Sequence, residues 1–185
     1  MSTIDPLWEL CYHHVMDKEK KGETMKESDM IRLPRWEQLP EIDLYLEQVL
    51  LLLEKWLGES FRHDGKKLLT KTMINNYVKQ HVISPPVNKR YHRISIASLF
   101  AVCILKSVYR MEDITKLIHL ALEVNEPDIS YNRFCDAVER AVEKVVAGEP
   151  FPGKGDLNDA QYLLQIVAQS FACTFFARAS YLSKV

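Results

Sequence analysis

The stretch that decides the fold is residues 70–86, which reads TKTMINNYVKQHVISPP. Its apolar side chains recur three or four residues apart, the spacing of one face of an α-helix: Met73, Ile74, Tyr77 and Val78. Thr70 can cap this helix, because its hydroxyl can accept from the free amides of the first turn. Ser84 precedes Pro85, and a residue before proline is pushed out of helical geometry. The sequence therefore predicts a short helix over about 71–81, with Tyr77 in the core, followed by a stiff extended turn.

The other face of this helix is polar and carries no acid. Its members are Lys71, Thr72, Asn75, Asn76 and Lys79. Side chains four residues apart lie along one row of a helix, so the lysines and Asn75 point the same way. Asparagine is a mediocre helix former, and two in succession at mid-helix are unusual. They are either contact residues or simply exposed polar positions, and the pattern alone leaves both interpretations open.

Downstream, residues 87–91 predict a short hairpin or turn. This turn lies within a basic segment, since residues 66–93 contain seven lysines and arginines and no acid, whereas residues 37–59 contain six acids and only one base. Phosphate is a natural partner for a local basic segment in a chain whose net charge is -1. A solvated helix face and loop would have the same composition.

The remainder of the chain predicts an all-α fold. Amphipathic patterns indicate helices over about 41–57 (ended by Gly58), 94–109, 111–124, 131–147 and 157–182. Asp156 is the expected cap of the last of these, which is apolar on most of its circumference and is interpreted as either a central buried helix or an oligomer contact. No strand-like alternation of useful length is present outside the turn near Lys89.

Three segments follow from these patterns. Residues 1–30 are predicted to form an N-terminal helix, capped by Asp5, and a mobile charged linker. Residues 31–125 form the helix-turn-helix-like core, and residues 126–185 form a helical extension packed on it.

Several classes of protein find no support in the sequence. It has no catalytic motif, phosphate-binding loop or dinucleotide fingerprint, so we expect no enzymatic activity and no cofactor. The adjacent His13 and His14 point different ways on a helix, so no metal site is expected. The four cysteines form no C-x-x-C pair and are expected to be free thiols. Without a signal peptide or an apolar run long enough to span a bilayer, we expect a cytoplasmic protein with no membrane contact.

Residues 70–86 resemble the recognition helix and turn of the MerR family of transcription regulators. Residues 88–91 resemble that family's wing without its usual glycine, and residues 109–114 are similar to the start of a later helix of the family. The short helix that precedes the recognition helix in that family is not recognisable, and its long dimerising coiled coil is missing. The chain, notably at residues 33–36 and 73–78, also resembles a family of small bacterial proteins classed as a domain of unknown function, which implies no activity.

The resemblance implies a winged helix-turn-helix and sequence-specific binding to duplex DNA, as a bacterial transcription regulator. Asparagine can bind adenine bidentately in the major groove, and flanking cations can hold phosphates. The expected DNA-binding residues are Lys71, Thr72, Asn75, Asn76, Lys79, Lys89, Arg90, Tyr91 and Arg93. We expect a homodimer, formed through the helix over 157–182, and the sequence names no small-molecule effector. The alternative is a non-enzymatic helical interaction module with a degenerate helix-turn-helix.

Overall fold

A computed structural model of the chain describes Met25, residues 30–61 and residues 67–182. These residues are mostly helical, as the all-α prediction requires. The helices are α1 (Leu46–Phe61), α2 (Lys71–Lys79), α3 (Arg93–Leu105), α4 (Met111–Val124), α5 (Pro127–Val146) and α6 (Asp159–Ala177), with a 3-10 turn at Trp36–Gln38 and a π-helical turn at Arg178–Leu182. Two short strands, β1 (Leu44–Tyr45) and β2 (Arg90–Tyr91), complete the described elements.

The centre of the fold is α3. Most of its residues are buried on every side, among them Ile96, Leu99 and Phe100, so its circumference is covered by neighbouring elements. The last long helix, α6, buries one face instead, with Val167 and Phe171 inside. The sequence leaves two interpretations open for this last helix, a central buried helix or an oligomer contact. In the structure, α3 is the central helix.

The C-terminal half is held to the core by helix packing and aromatic contacts. The most extensive helix pair is α5 with α6. Phe61 at the end of α1 stacks on Phe171 of α6, with ring centroids 5.8 Å apart, and lies 5.5 Å from the Phe175 ring. Paired aromatic rings add stabilisation beyond the area they bury. Residues 126–182 therefore pack directly against the rest of the described chain.

An ion-pair network joins the segment before β1 to α5. The buried Glu139 carboxylate accepts from the backbone N–H of Leu33 at 2.7 Å and from both terminal nitrogens of Arg35 at 3.1 and 2.8 Å. Arg35 also reaches Asp136 at 2.9 Å. Because the planar guanidinium matches a carboxylate bidentately, this arrangement fixes the segment in position as well as in charge.

The strand pair positions the basic turn. Strands β1 and β2 are antiparallel, with Leu44 opposite Tyr91 and Tyr45 opposite Arg90. The predicted helix over 41–57 is therefore wrong at both ends. At its start, Glu41 and Ile42 form a bend with Ile42 exposed, and Leu44 and Tyr45 are extended because they pair with β2. Its last turn continues through Gly58 to Phe61, because the aromatic packing of Phe61 outweighs the helix penalty of about 1 kcal/mol for glycine.

Other helix bounds differ from prediction at their first turns. Helix α5 begins at Pro127, four residues before the expected start, since proline is tolerated where an amide has no helical partner. Helix α6 is capped by Asn158 rather than Asp156: the Asn158 side chain accepts from the Gln161 amide at 2.9 Å, and the Gln161 side chain accepts from the Asn158 amide at 3.1 Å. This reciprocal pair satisfies two amides at once, which a lone aspartate could not do.

Within the described residues, none of the helices combines the length and apolarity needed to cross a lipid bilayer. Three described cysteines are free, with Cys103 and Cys135 buried and Cys173 exposed. The predicted N-terminal helix, most of the linker, Cys11, the two adjacent histidines and the loop over 62–66 lie outside the described residues.

Candidate nucleic-acid interface

Helix α2 has one buried and one exposed face, as predicted. Ile74 and Tyr77 are buried, which confirms Tyr77 as a core residue, and burial raises the pKa of Tyr77 to about 12. The cap is also confirmed, since the Thr70 hydroxyl accepts from the Met73 amide at 3.2 Å. The polar residues of the other face are all exposed: Lys71, Thr72, Asn75, Asn76 and Lys79. Amide and hydroxyl side chains on one open face are therefore free to meet a ligand surface.

The end of α2 is a left-handed turn at His81, whose φ is 56°. The His81 amide donates to the Val78 carbonyl at 3.1 Å, and the Val82 amide donates to the Tyr77 carbonyl at 2.9 Å. These two bonds form a Schellman motif, which usually has glycine at the left-handed position. Buried Val82 completes the hydrophobic side of the motif. The motif turns the chain sharply, so that the segment after α2 returns toward β1.

The predicted turn over 87–91 is a two-residue hairpin. Val87 and Arg90 exchange both backbone hydrogen bonds at 2.9 Å, and the two residues between them, Asn88 and Lys89, have φ values of 50° and 64°. Positive φ at both central positions defines a type I′ turn, which matches the natural twist of paired strands. The hairpin therefore projects Asn88 and Lys89 into solvent, with Arg90 at its base.

The cations of the basic segment differ in how free they are. Lys71 donates from Nζ to Oε1 of Glu47 on α1, and this bond holds the pKa of Glu47 below its usual value. Arg90 donates to the Tyr45 hydroxyl at 3.0 Å, with its guanidinium 4.8 Å from the centre of that ring. Lys79 and Lys89 have no acidic partner in the part of the chain that the structure describes. Together with the exposed Lys67, they are the cations of the basic segment most available to an external anion.

Two of the nine expected contact residues occupy structural positions instead. Tyr91 is 3% exposed, and burial raises its pKa, so its ring belongs to the core. The Arg93 side chain is only 20% exposed: its Nε donates to the Pro40 carbonyl at 3.1 Å and its guanidinium lies 5.4 Å from the Trp36 ring centre. The period-two alternation of β2 turns Tyr91 inward. Residues 36–40 cover Arg93, a contact between distant segments that no local pattern predicts.

The fold also brings acids to the basic segment, which sequence separation had concealed. Glu47 reaches Lys71 from α1, and Asp43 pairs with His92 Nδ1 at 2.7 Å. The expectation that this face is free of acids holds for α2 itself and fails for its surroundings. Tyr45 was likewise missed, because a helix over 41–57 would not place it against Arg90.

The structure thus assembles a surface from α2 and the hairpin, which we call the α2–hairpin surface. Its exposed members are Lys71, Thr72, Asn75, Asn76, Lys79, Asn88, Lys89 and Arg90. Among the described residues, no group of three or more histidine, cysteine or acidic side chains is placed to hold a metal ion.

The chain matches a known protein family. Residues 34–137 match the family described as Domain of unknown function (DUF1836), and the match covers more than half of the 185 residues. The chain therefore belongs to the DUF1836 family. Neither a curated protein nor a solved structure matches the sequence significantly. The matched range contains β1, β2 and helices α1 to α4, and it ends within α5.

Proposed function

We propose that this protein binds duplex DNA sequence-specifically through the α2–hairpin surface, as a bacterial transcription regulator of the winged helix-turn-helix kind. The observation that carries the proposal is the exposed face of α2, on which Thr72, Asn75 and Asn76 stand beside Lys79, a cation with no acidic partner among the described residues. Short amides and hydroxyls can read base edges in the major groove, whereas lysines hold phosphates.

The arrangement around α2 supports the same function. Strand β1 leads into α1, α1 precedes α2, and the hairpin follows and pairs back to β1. With α2 in the major groove, the hairpin tip at Asn88 and Lys89 would reach the neighbouring backbone or minor groove as a wing. The tight pairing of β1 with β2 would hold helix and wing at a fixed separation.

A homodimer would read two half-sites about one helical turn, roughly 34–36 Å, apart. The exposed apolar residues Ile166 and Leu182, on α6 and the turn that follows it, are the positions through which we propose that dimerisation occurs.

A second candidate function is protein interaction through the same region. Three large apolar side chains are largely exposed around β1, α1 and the hairpin: Ile42 at 73%, Leu51 at 71% and Val87 at 53%. Exposed apolar side chains of this size are available for protein contacts, and phosphate does not need them. This candidate requires no contribution from Asn75, Asn76 or Lys79.

The deciding experiment is selection from a pool of random duplex DNA at two salt concentrations. A sequence-specific regulator enriches particular sequences, and its affinity falls steeply as salt rises because bound phosphates release counterions. Absence of binding at low salt, in a folded and monodisperse sample, overturns the proposal. Salt-sensitive binding without enrichment would overturn its sequence-specific part.

Variants separate the two candidates. We expect Lys79→Ala to weaken binding to all sequences and to lower the salt slope by about 1, while Asn75→Ala relaxes base preference by about 1–3 kcal/mol at one position. Lys116→Ala is the matched control, since it removes one exposed lysine from α4, outside the surface. An interaction module would show no difference between Lys79→Ala and this control, and would instead lose its partner on Leu51→Ser.

The hairpin offers a variant that separates charge from stability. Because Lys89 has a positive φ that glycine adopts without strain, Lys89→Gly should keep or raise stability while it removes a cation. Weaker DNA binding by a variant that is at least as stable as the native protein cannot be attributed to unfolding. Unchanged DNA binding would exclude the hairpin from the interface.

A further inference from the structure

A cavity of about 180 Å³ lies between α3, α4, α5 and α6, on elements separate from the exposed face of α2. Its walls are mainly apolar and include Ala97, Ala101, Leu117 and Phe134. Leu120 and Val124 of α4 are at its edge, where they are 40% and 50% exposed. An apolar cavity that opens between helices, with a few polar groups at one side, has the usual form of a small-molecule site.

The charge on the walls selects the kind of ligand. Arg133 is the single charged residue among the described residues that line the cavity, and no described acid lines it. The guanidinium donates to the neutral amide oxygen of Asn125 at 3.0 Å and is in no ion pair with a described acid. A cation that faces an apolar cavity without a carboxylate is complementary to an anionic group on the ligand.

The start of α6 adds to this bias. Asn158, Ala160 and Gln161 line the cavity at the N-terminal end of a 19-residue helix. The amides of a first helical turn point toward this end and carry partial positive charge. The amide of Gln161 already donates a hydrogen bond to the Asn158 side chain. The preceding residue, Ala160, contributes to the wall of the cavity. Arg133 therefore favours negative charge in the cavity, and the start of α6 adds a smaller contribution, because its first turn also carries Asp159, which is paired with Lys154.

We propose that this cavity binds a small monocarboxylate with an apolar body, of the size of an aromatic acid or a short aliphatic acid. The ring or chain lies among Ala97, Ala101 and Phe134, and the carboxylate accepts from Arg133 at the mouth. The volume sets the size class, since a dry cavity of about 150 Å³ accommodates benzene. This site is independent of the proposed DNA binding, and it exists whether or not α2 contacts DNA.

The test uses benzoate and its neutral isostere benzamide as probes on the full chain, with binding measured by ligand-observed NMR and calorimetry. We expect saturable binding of benzoate, about two- to five-fold tighter than benzamide, a ratio in keeping with one partly exposed ion pair. Arg133→Gln should abolish this preference while it leaves the weak binding of benzamide. Lys116→Ala, which removes an exposed cation from α4, should leave the preference intact.

A second variant tests the cavity itself. Ala101→Leu places extra volume in the wall, so it should abolish binding of both probes, and thermal unfolding followed by circular dichroism verifies that the variant is folded. Absence of saturable binding, equal affinity for the two probes, or undiminished binding to folded Ala101→Leu overturns the proposal. The proposal is also overturned if the native protein is a homodimer that binds neither probe and sedimentation shows that Ala101→Leu dissociates it. In that case the cavity would be a contact between subunits.

Discussion

Arg35→Ala should be among the most destabilising single substitutions at a partly exposed position of this protein. The substitution removes two hydrogen bonds, at 2.8 and 3.1 Å, from the carboxylate of Glu139, a buried residue of α5. Of the partners in the described part of the chain, the Leu33 amide and a distant Arg32, at 3.8 Å, would remain to stabilise that charge. Loss of one partner from a buried ion pair typically costs about 3–5 kcal/mol, because a desolvated charge is left unpaired.

Urea unfolding at neutral pH measures this loss. A protein of this size has an m-value of about 2–3 kcal/mol per molar urea, so a loss of 3–5 kcal/mol lowers the unfolding midpoint by about 1–2.5 M. The matched control is Arg32→Ala: Arg32 is mostly exposed and pairs with Glu143 at 3.0 Å, so its loss should be at most about 1 kcal/mol. An equal m-value in both variants shows that the difference lies in the native contacts.

Two further variants test the geometric part of the argument. Arg35→Lys keeps the charge and loses the bidentate contact, so we expect an intermediate loss of about 1–2 kcal/mol. Arg35→Met combined with Glu139→Met should be less destabilising than the sum of the single changes, because no charge is left buried. A loss below about 1 kcal/mol for Arg35→Ala, or additive effects in the double variant, would refute the argument that Glu139 depends on Arg35.

The remaining predictions concern His81 and the cysteines. His81→Gly should raise the free energy of unfolding by about 0.5–1 kcal/mol, because a φ of 56° is strained for histidine. Gln80→Gly, at a φ of -88°, is the control and should lower the free energy of unfolding. Denaturant unfolding that gives the opposite order would contradict this assignment. In a Cys11→Ser background, a thiol reagent at pH 8 should modify Cys173 rapidly and leave Cys103 and Cys135 protected until the protein unfolds. Burial raises the pKa of both buried thiols to about 12 from 9.0. The free energy of unfolding should therefore be retained below pH 9 and should fall as pH rises toward 12, because the thiols ionise more readily in the unfolded chain. Cys103→Ala should remove part of this decline.

Periodic hydrophobicity was sufficient to predict most helices, because each helix must bury a stripe of its own residues. The bounds of α4 agree with prediction, and the Thr70 cap and the inner face of α2 do as well. The start of α1 was missed because Ile42 and Tyr45 fit a helical stripe, while backbone pairing with β2 was invisible in local sequence. The local pattern of a segment predicts which of its side chains are buried. It does not reveal whether a distant segment, such as β2, pairs with its backbone and replaces a helix by a strand.

The candidate site was predictable to the extent that it lies on one helix face. Asn75, Asn76 and Lys79 are exposed together because helical periodicity alone places them there. Tyr91 and Arg93 were assigned to the surface on residue type, and a strand alternation and a covering segment direct them inward. Residue type indicates what a side chain can bind, but only the three-dimensional neighbours determine whether it is free to do so.

The fold places Glu47 beside α2, and this position provides a test of the proposed DNA binding. Glu47 lies 24 residues before Lys71 in the sequence, yet it neutralises that lysine and adds a negative charge beside α2. If α2 approaches phosphates, Glu47→Gln should strengthen DNA binding and increase its salt dependence, since it frees one cation and removes one repulsion. A protein partner that pairs with Glu47 would respond in the opposite sense. Stronger DNA binding by Glu47→Gln therefore supports the proposed DNA interface, and unchanged or weaker DNA binding contradicts it, in a variant that leaves the exposed side chains of α2 in place.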